Sequence, residues 1–234
     1  MPPASSRRPP HAPAAWHGEF PLTRVLGRLQ RASAGWPTPS MERVAAQTGD
    51  PFAVLVGTVL SLRTRDETTL AAFQRLHRLA AHPAALAALP EAVIARTIHP
   101  VAFFRVKAGQ LRAQARLLLE RHGGQVPAEL EALLALPGVG RKTANLVLGL
   151  GFGQPAVCVD THVHRILNRL GALRSRQPDE TEALLRAHLP RRWWLRVNAL
   201  LVPFGQARCT PLSPRCTGCP AAQACGRLGV GRHR

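Results

Sequence analysis

Prolines and glycines interrupt the apolar periodicity of this 234-residue chain at short intervals, and this punctuation limits the length of every element that the chain can form. Between the interruptions, apolar residues recur mostly at helical spacing, and the strict alternation of a half-buried strand is scarce. The sequence therefore predicts an all-α fold of short helices with short connections. The prolines that separate the predicted helices are Pro39, Pro51, Pro83, Pro90, Pro100, Pro127, Pro137, Pro155, Pro178 and Pro190.

The sequence also indicates where helices begin and how the N-terminal segment behaves. Ser40, Asp50 and Asp160 stand where an N-cap oxygen would accept amide hydrogens. Residues 1–18 are rich in proline, alanine and arginine, and they lack the apolar core of a secretory signal. We expect them to form a disordered basic tail. The predicted helices cover residues 20–34, 40–47, 51–62, 66–80, 83–88, 103–122, 128–135, 141–151, 161–170, 179–188 and 191–206.

The charge of the chain is strongly basic, with a formal net value of +18 at pH 7. Because the excess is spread along the chain, a polyanion such as nucleic acid is the expected partner. A membrane partner is not expected, since no apolar run approaches the ~20 residues that a spanning helix needs. Charge that only keeps the protein soluble is the alternative.

Lys107 and Lys142 are the only lysines among 31 basic residues, and the other 29 are arginine. A sequence that uses arginine wherever either residue serves retains lysine where arginine cannot do the same work. A lysine amine can lose its proton and act as a nucleophile, whereas a guanidinium effectively cannot. Both lysines are therefore candidate functional residues.

The segment Leu-Pro-Gly-Val-Gly-Arg-Lys-Thr-Ala at residues 136–144 lies between two predicted helices. Its two glycines allow unusual backbone torsions and leave amides uncovered. Amides at a helix start can bind phosphate, so the backbone of Gly138, Val139 and Gly140 is predicted to grip DNA without reading its sequence. Arg141 adds positive charge beside Lys142. A purely structural connector between helices is the alternative.

Asp160 follows Lys142 by 18 residues, at the end of a short β-branched run and at the start of a helix. An ordinary N-cap aspartate would explain this position. A catalytic carboxylate is compatible with it, because a capping side chain is rigidly aimed.

Four cysteines are crowded near the C-terminus with the spacing C-x6-C-x2-C-x5-C. In a chain without an export signal, such crowding favours metal ligation over disulfides. By spacing alone, the four thiolates suit zinc or an iron–sulfur cubane. Cys158 stands apart in an apolar run and is predicted to be a buried, inert thiol. The candidate ligands are Cys209, Cys216, Cys219 and Cys225.

Residues 136–145 and 159–163 resemble the helix-hairpin-helix Gly/Pro…Asp motif of the endonuclease III family of DNA glycosylases, and the resemblance runs from about Asp50 to Cys225. It implies that Lys142 is the nucleophile, that Asp160 is the catalytic aspartate, and that the four cysteines hold a [4Fe–4S] cluster. It also implies two helical domains, residues 44–154 as a helical barrel with the hairpin and residues 19–43 plus 155–234 as the cluster domain, with a catalytic cleft between them.

The same resemblance assigns DNA contacts. The turn from Leu60 to Asp66 is expected to enter the DNA double helix. It carries Arg63 at the position where the bacterial enzymes of the family typically have glutamine. Phe103 is expected to be a second, apolar wedge, although a core position is the alternative. Lys107 lies in the matched region and is predicted to contact DNA. Arg208 and Arg215, beside the cysteines, are predicted to face phosphate.

The activity implied by the resemblance is removal of damaged, oxidised pyrimidines by base flipping, imine formation on Lys142 and β-elimination. The expected partner is double-stranded DNA with damaged bases or abasic sites, bound by a monomer in the cytoplasm of a prokaryote, at the nucleoid. An adenine glycosylase is an alternative, although the adenine glycosylases related to this family normally lack a lysine at the position of Lys142. A mismatch thymine or uracil glycosylase stays open because of Arg63. A non-enzymatic DNA-binding module and a zinc-dependent module are the remaining alternatives.

Overall fold

The computed structural model describes residues 13–234, which are mostly helical, and the prediction of an all-α fold is confirmed. These residues divide into two compact units. The central unit comprises residues 38–158, and the terminal unit combines residues 13–37 with residues 159–234. Within residues 13–234 no helix is both long enough and apolar enough to cross a membrane.

Twelve α-helices and one two-stranded sheet are found in the described part of the chain, together with short π and 3-10 turns. The π turn Val147–Gly151 continues α9, and 3-10 turns occupy Arg191–Trp193 and Ala222–Ala224. In chain order the elements are β1 (Ala15–Trp16), α1 (Leu22–Ala32), α2 (Ser40–Thr48), α3 (Pro51–Ser61), α4 (Asp66–Leu79), α5 (Pro83–Ala88), α6 (Glu91–Ile98), α7 (Phe104–His122), α8 (Leu130–Leu134), α9 (Arg141–Leu146), α10 (Thr161–Leu170), β2 (Leu173–Arg174), α11 (Pro178–His188) and α12 (Trp194–Ala207).

Helix α3 lies at the centre of the central unit. It begins where the sequence predicts, because the Asp50 carboxylate accepts the amide hydrogens of Phe52 and Ala53, and Pro51 occupies the first helical position. Every residue from position 52 to position 60 is buried. Helices α2, α4, α7 and α9 pack around it, so this uniformly apolar segment forms the middle of the core.

Helix α6 is absent from the predicted set. It has eight residues between Pro90 and Pro100, and no side chain caps its start, so the sequence carries no N-cap signal for it. Tertiary packing makes it a helix, because Ile94 and Ile98, one turn apart, are both fully buried against the core.

The terminal unit is built on α1, α10 and α12. The apolar face of α1, formed by Leu22, Val25, Leu26 and Leu29, is buried, and α12 packs against both other helices. Trp36 stacks on Phe204 of α12 with ring centroids 5.6 Å apart.

The predicted disordered tail of residues 1–18 extends too far. Residues 1–12 lie outside the described residues. Ala15–Trp16, however, pair antiparallel with Leu173–Arg174. The Trp16 ring stacks on His188 at 5.1 Å, and His17 bonds the carbonyl of Gly171 through its Nδ1 at 2.8 Å. These contacts with distant residues order a segment whose local sequence shows no strand pattern.

Candidate active site and cysteine cluster

The turn between α8 and α9 contains the predicted phosphate-binding glycines. Gly138 has φ of +74°, a conformation that L-residues rarely adopt, and both Gly138 and Gly140 are exposed. Helix α7 supports this turn from below. The buried Gln114 donates from Nε2 to the carbonyl of Pro137 at 2.7 Å, and the Gln110 carboxamide lies against Gly138. The turn therefore presents backbone to solvent from a fixed position.

Val139 does not behave like its two glycine neighbours. Its side chain is 7% exposed and belongs to the core of the central unit, and its amide donates to the carbonyl of Leu136 at 3.1 Å. In this structure that amide closes the turn, and its predicted contact with phosphate stays a prediction.

Lys142 is the second residue of α9 and is half-buried, as is Arg141 before it. The three residues after it, Thr143 to Asn145, are buried and fix the helix against the core. The Cys158 thiol, itself buried, donates to the carbonyl of Lys142 at 3.8 Å. These contacts hold the backbone of the candidate nucleophile, while its side chain lies on the partly open face of a short helix.

Asp160 is 8% exposed and caps α10 in the terminal unit. Its Oδ1 accepts the amide hydrogens of His162 at 2.8 Å and Val163 at 3.0 Å. Two backbone donors on one oxygen fix the orientation of the carboxylate. The N-cap interpretation is therefore correct for this residue, and its catalytic role is compatible with the observed orientation.

His162, the second residue of α10, is held within the terminal unit. Arg165 approaches its Nδ1 at 3.1 Å from Nη2, and its ring packs so closely on Gly205 that a side chain at that position would collide with it. These contacts assign His162 a structural role at the start of α10.

The two predicted wedge residues, Arg63 and Phe103, are exposed and adjacent. Arg63 lies in the turn after α3, and Phe103 immediately precedes α7 with 59% of its surface exposed. The guanidinium carbon of Arg63 lies 5.2 Å from the centroid of the Phe103 ring, within the range of a cation–π contact. The core alternative for Phe103 is excluded. Its neighbour Phe104 is the one that packs on the core, with an edge contact to His99 at 5.1 Å.

The prediction that Lys107 contacts DNA is wrong. Its side chain is 4% exposed, and its Nζ donates to the carbonyls of Leu60 at 3.0 Å and Leu62 at 2.6 Å, with Thr64 Oγ1 at 3.4 Å. Burial lowers the pKa of Lys107 to about 8. An amine enclosed by main-chain carbonyls cannot reach a phosphate, so Lys107 supports the turn that carries Arg63.

The four crowded cysteines lie around one pocket in the terminal unit. Its other walls include apolar side chains of α10 and α12, Ile166, Leu170 and Phe204. Burial raises the pKa of the Cys219 and Cys225 thiols, and backbone hydrogen bonds from Ala221 and Arg227 oppose this rise. Donors directed at sulfur, in an apolar enclosure, are typical of thiolate ligands of an iron–sulfur group.

The arrangement of the cysteines bears on which metal group fits. Over residues 13–234, no group of three or more histidine, cysteine or acidic side chains is placed as a metal-binding site would require. A zinc site would bring its thiolates onto one ion at about 2.3 Å. The shared pocket of the four cysteines leaves both zinc and a multinuclear group as occupants by geometry alone.

Two arginines of α10 that sequence reasoning misses hold the cysteine loop, residues 209–225. Arg169 is 7% exposed and donates to Cys209 Sγ at 3.3 Å and to the carbonyls of Thr210 and Pro211 at 2.8 and 2.9 Å. Arg165 donates to the carbonyl of Cys209 at 2.8 Å. Burial lowers the pKa of the Arg165 guanidinium, and the charge of Cys209 opposes that change. The only sequence signal for this pair is the four-residue spacing on the helix that Asp160 caps.

The two arginines predicted to face phosphate from the loop differ from each other. Arg208 donates from Nη1 to the carbonyls of Arg215 at 3.2 Å and Thr217 at 3.0 Å, so it braces the loop. The Arg215 side chain is exposed. Contact of either arginine with phosphate stays a prediction.

Sequence comparison places the chain among known repair proteins. It is 48% identical over 170 residues to endonuclease III of Thermotoga maritima, covering 73% of this chain and 80% of that protein. It is 33% identical over 201 residues to endonuclease III of Escherichia coli, covering 86% and 92% of the two chains. It is 39% identical to the chloroplastic endonuclease III homolog 1 of Arabidopsis thaliana, of whose length it spans 56%.

Solved structures share the fold. A non-covalent endonuclease III–DNA complex matches with a TM-score of 0.80 and 30% identity over 88% of this chain and 94% of that one. A trapped endonuclease III–DNA covalent intermediate matches with a TM-score of 0.78 and 29% identity over the same shares. The sequence profile of the HhH-GPD superfamily base excision DNA repair proteins matches residues 56–191. The chain therefore belongs to the HhH-GPD superfamily of base excision DNA repair proteins and, within it, to the endonuclease III family.

Proposed function

We propose that this base excision repair enzyme, a DNA glycosylase with lyase activity, uses Lys142 as its nucleophile and removes oxidised pyrimidines from double-stranded DNA. The observation that carries the assignment is the position of Lys142. It follows the exposed glycine turn by two residues and lies on the partly open face of α9, where the buried residues behind it fix the backbone. A phosphate held by Gly138 or Gly140 would bring a nucleotide within reach of its amine.

The reaction begins when the damaged nucleotide is rotated out of the duplex. The neutral Lys142 amine attacks the sugar C1′, and the C1′–N bond breaks as its electron pair leaves with the base, which takes up a proton. Ring opening gives an imine between Nζ and C1′. Removal of a proton from C2′ then drives cleavage of the C3′–O bond, which cuts the strand on the 3′ side. A covalent DNA intermediate in a related endonuclease III supports this course.

Asp160 supplies negative charge while positive charge develops on the sugar. Its Oδ1 is fixed by two backbone amides, so the carboxylate requires little reorganisation during the reaction. We also assign it a part in taking the proton that Lys142 must lose before attack. Both roles need the charge of the side chain, which an asparagine would lack.

DNA is held largely by groups that carry no sequence information. Besides the glycine turn, we assign phosphate contacts to Arg141, Arg208 and Arg215, in keeping with the net charge of +18. Arg63 and Phe103 enter the gap that the flipped nucleotide leaves. The enzyme acts as a monomer on damaged or abasic duplexes, at the nucleoid of a prokaryotic cell.

The cysteine loop is proposed to hold a [4Fe–4S] cluster. The ligands are Cys209, Cys216, Cys219 and Cys225, and the donors directed at three of their sulfurs are those described above. Four iron–sulfur bonds would cross-link the loop. Zinc is the alternative occupant of the same four thiolates.

A mismatch thymine or uracil glycosylase is the second candidate, and Arg63 is the observation that favours it. Where the bacterial enzymes typically have glutamine, this chain exposes a cation at the tip of the turn. A thymine-DNA glycosylase structure matches with a TM-score of 0.76, but at 23% identity this likeness concerns the fold alone. An adenine glycosylase and a non-enzymatic module are disfavoured by the combination of Lys142 with Asp160.

Borohydride trapping tests the nucleophile. Wild-type protein is expected to form a covalent adduct with an abasic duplex, and Lys142→Gln is expected to form none. Arg121→Gln is the matched control, because it removes one exposed positive charge from α7. Adduct formation by Lys142→Gln at the wild-type rate would refute the assignment.

Base release tests the carboxylate and the substrate. Asp160→Asn keeps an N-cap oxygen and should fold normally, while base excision falls by roughly a hundredfold. Undiminished excision would remove Asp160 from the mechanism. A panel of duplexes with thymine glycol, dihydrouracil, uracil and G·T mismatches separates the two candidate functions.

A further inference from the structure

Two loops of the central unit carry the residues that are expected to enter the duplex. One follows α3 and presents Arg63, and the other precedes α7 and presents Phe103. Each residue has a positive φ, 57° for Arg63 and 56° for Phe103, although neither is a glycine. Such conformations persist only where the surroundings hold them, and they cluster at functional sites.

Lys107 contacts both loops from beneath. Its ammonium donates to the carbonyls of Leu60 and Leu62 in the first loop and approaches Thr64 Oγ1. The same Thr64 oxygen accepts the amide hydrogen of Ala102 in the second loop at 3.2 Å. The backbone amide of Lys107 donates to the carbonyl of Phe103 at 3.0 Å. The Lys107 ammonium therefore holds the first loop directly and reaches the second through Thr64, just below the exposed side chains.

The geometry points to Lys107 as a positioning residue that keeps Arg63 and Phe103 together as one insertion unit. This inference rests on the proposed function, because it supposes that the pair enters DNA. The cation–π contact between the two side chains, at 5.2 Å, is the arrangement that Lys107 preserves. Lys107 touches neither DNA nor the reacting sugar.

The chemistry of the side chain explains why this position keeps a lysine. Three oxygens lie within 3.4 Å of one nitrogen, which a compact ammonium with three donors can satisfy. A planar guanidinium is larger, and Lys107 is only 4% exposed. Its acceptors are all neutral, so the buried charge is not offset by a carboxylate, and its lowered pKa reflects this.

The experiment follows DNA distortion separately from chemistry. The probe is a duplex with a stable tetrahydrofuran abasic analogue opposite 2-aminopurine, whose fluorescence rises when it loses its stacking. The variants are Lys107→Met, which keeps the length of the chain without its donors, and Thr64→Val, which removes only the bridging hydroxyl. Arg112→Met on the same helix is the matched control, since Arg112 donates to the carbonyl of Ala87 away from both loops.

Both variants are expected to lose most of the fluorescence rise and to bind the duplex about tenfold more weakly, while Arg112→Met matches wild type. Borohydride trapping on a single-stranded abasic oligonucleotide, which has no gap to fill, should stay within about twofold of wild type. A full fluorescence rise in both variants would overturn the inference. So would a loss of trapping on the single strand as large as the loss of binding to the duplex.

The test also covers a variant that does not fold and a wild-type protein that does not react. If Lys107→Met does not fold, as judged by circular dichroism, the fluorescence rise with Thr64→Val alone tests the inference. If wild-type protein traps no abasic DNA at all, the proposed chemistry fails, and the fluorescence of the tetrahydrofuran duplex still decides the role of Lys107, because that signal needs no reaction.

Discussion

The glycine turn of residues 137–140 offers a matched pair of substitutions, because its two glycines differ in conformation. Gly138 has φ of +74°, and a methyl group added there would lie 2.5 Å from the Gln110 carboxamide carbon. Gly140 has φ of −100°, and nothing lies within 4 Å of the same added group. Alanine should therefore reduce the stability of the fold at position 138 and the affinity for DNA at position 140.

Gly138→Ala is expected to destabilise the fold. The left-handed conformation costs an alanine roughly 1–2 kcal/mol. Displacing the flexible end of Gln110 adds about 0.5–1 kcal/mol. The sum is about 2 kcal/mol, and for a protein of this size it lowers Tm by roughly 4–8 °C. The double substitution with Gln110→Ala should recover the smaller part of this loss.

Gly140→Ala is expected to leave stability within about 0.5 kcal/mol of wild type, because its backbone conformation is open to alanine. Its methyl group would stand on the exposed surface where a phosphate must approach the backbone. We therefore expect affinity for an abasic duplex to fall about tenfold.

Thermal unfolding and fluorescence anisotropy measure the two effects on the same samples. We expect Gly138→Ala to lose stability and Gly140→Ala to lose affinity for DNA at unchanged Tm. Equal destabilisation by both substitutions would refute the argument from backbone conformation. Wild-type affinity of Gly140→Ala would show that no phosphate approaches this turn closely.

Three further outcomes follow from the structure. Because burial lowers the pKa of Lys107 from 10.5 to about 8, the unfolded chain binds more protons than the folded chain between those pH values. The free energy of unfolding of the wild type should therefore rise with pH relative to that of Lys107→Met, by at most about 3 kcal/mol. Urea unfolding at about pH 7 and about pH 10 measures this difference. Phe104→Ala should cost about 2 kcal/mol or more in the same assay, and Phe103→Ala less than about 0.5 kcal/mol, because only Phe104 packs on the core. Cys219→Ser should abolish the visible absorbance of an iron–sulfur protein, whereas Cys158→Ser should retain it; loss of the absorbance in both variants would contradict the assigned ligand set.

Local chemistry made parts of this molecule predictable from sequence. Asp50 before Pro51 predicts the start of α3, and Asp160 predicts the start of α10, because a capping carboxylate acts on amides two and three residues away. The glycine turn and the crowded cysteines are equally local. Each of these features is complete within a short window of sequence.

Other features depend on partners far along the chain. Lys107 was expected at the surface, yet its acceptors come from residues 43 to 47 positions earlier, and no pattern marks that distance. Arg169 likewise reads as an ordinary helix cation, although the loop carbonyls that it binds lie about forty residues later. Strand β1 forms only because β2 meets it. A charged residue looks the same in sequence whether it faces water or carbonyls.

The buried Arg169 and the half-buried Arg165 of α10 have a consequence for exchanging parts between enzymes of this family. One helix is capped by Asp160 at its start and, from its later turns, grips the cysteine loop through Arg165 and Arg169. The loop is therefore not an independent cassette. A chimaera that imports residues 209–225 from a relative must import compatible residues at positions 165 and 169, or the guanidinium groups there will lose the carbonyl acceptors that the loop supplies.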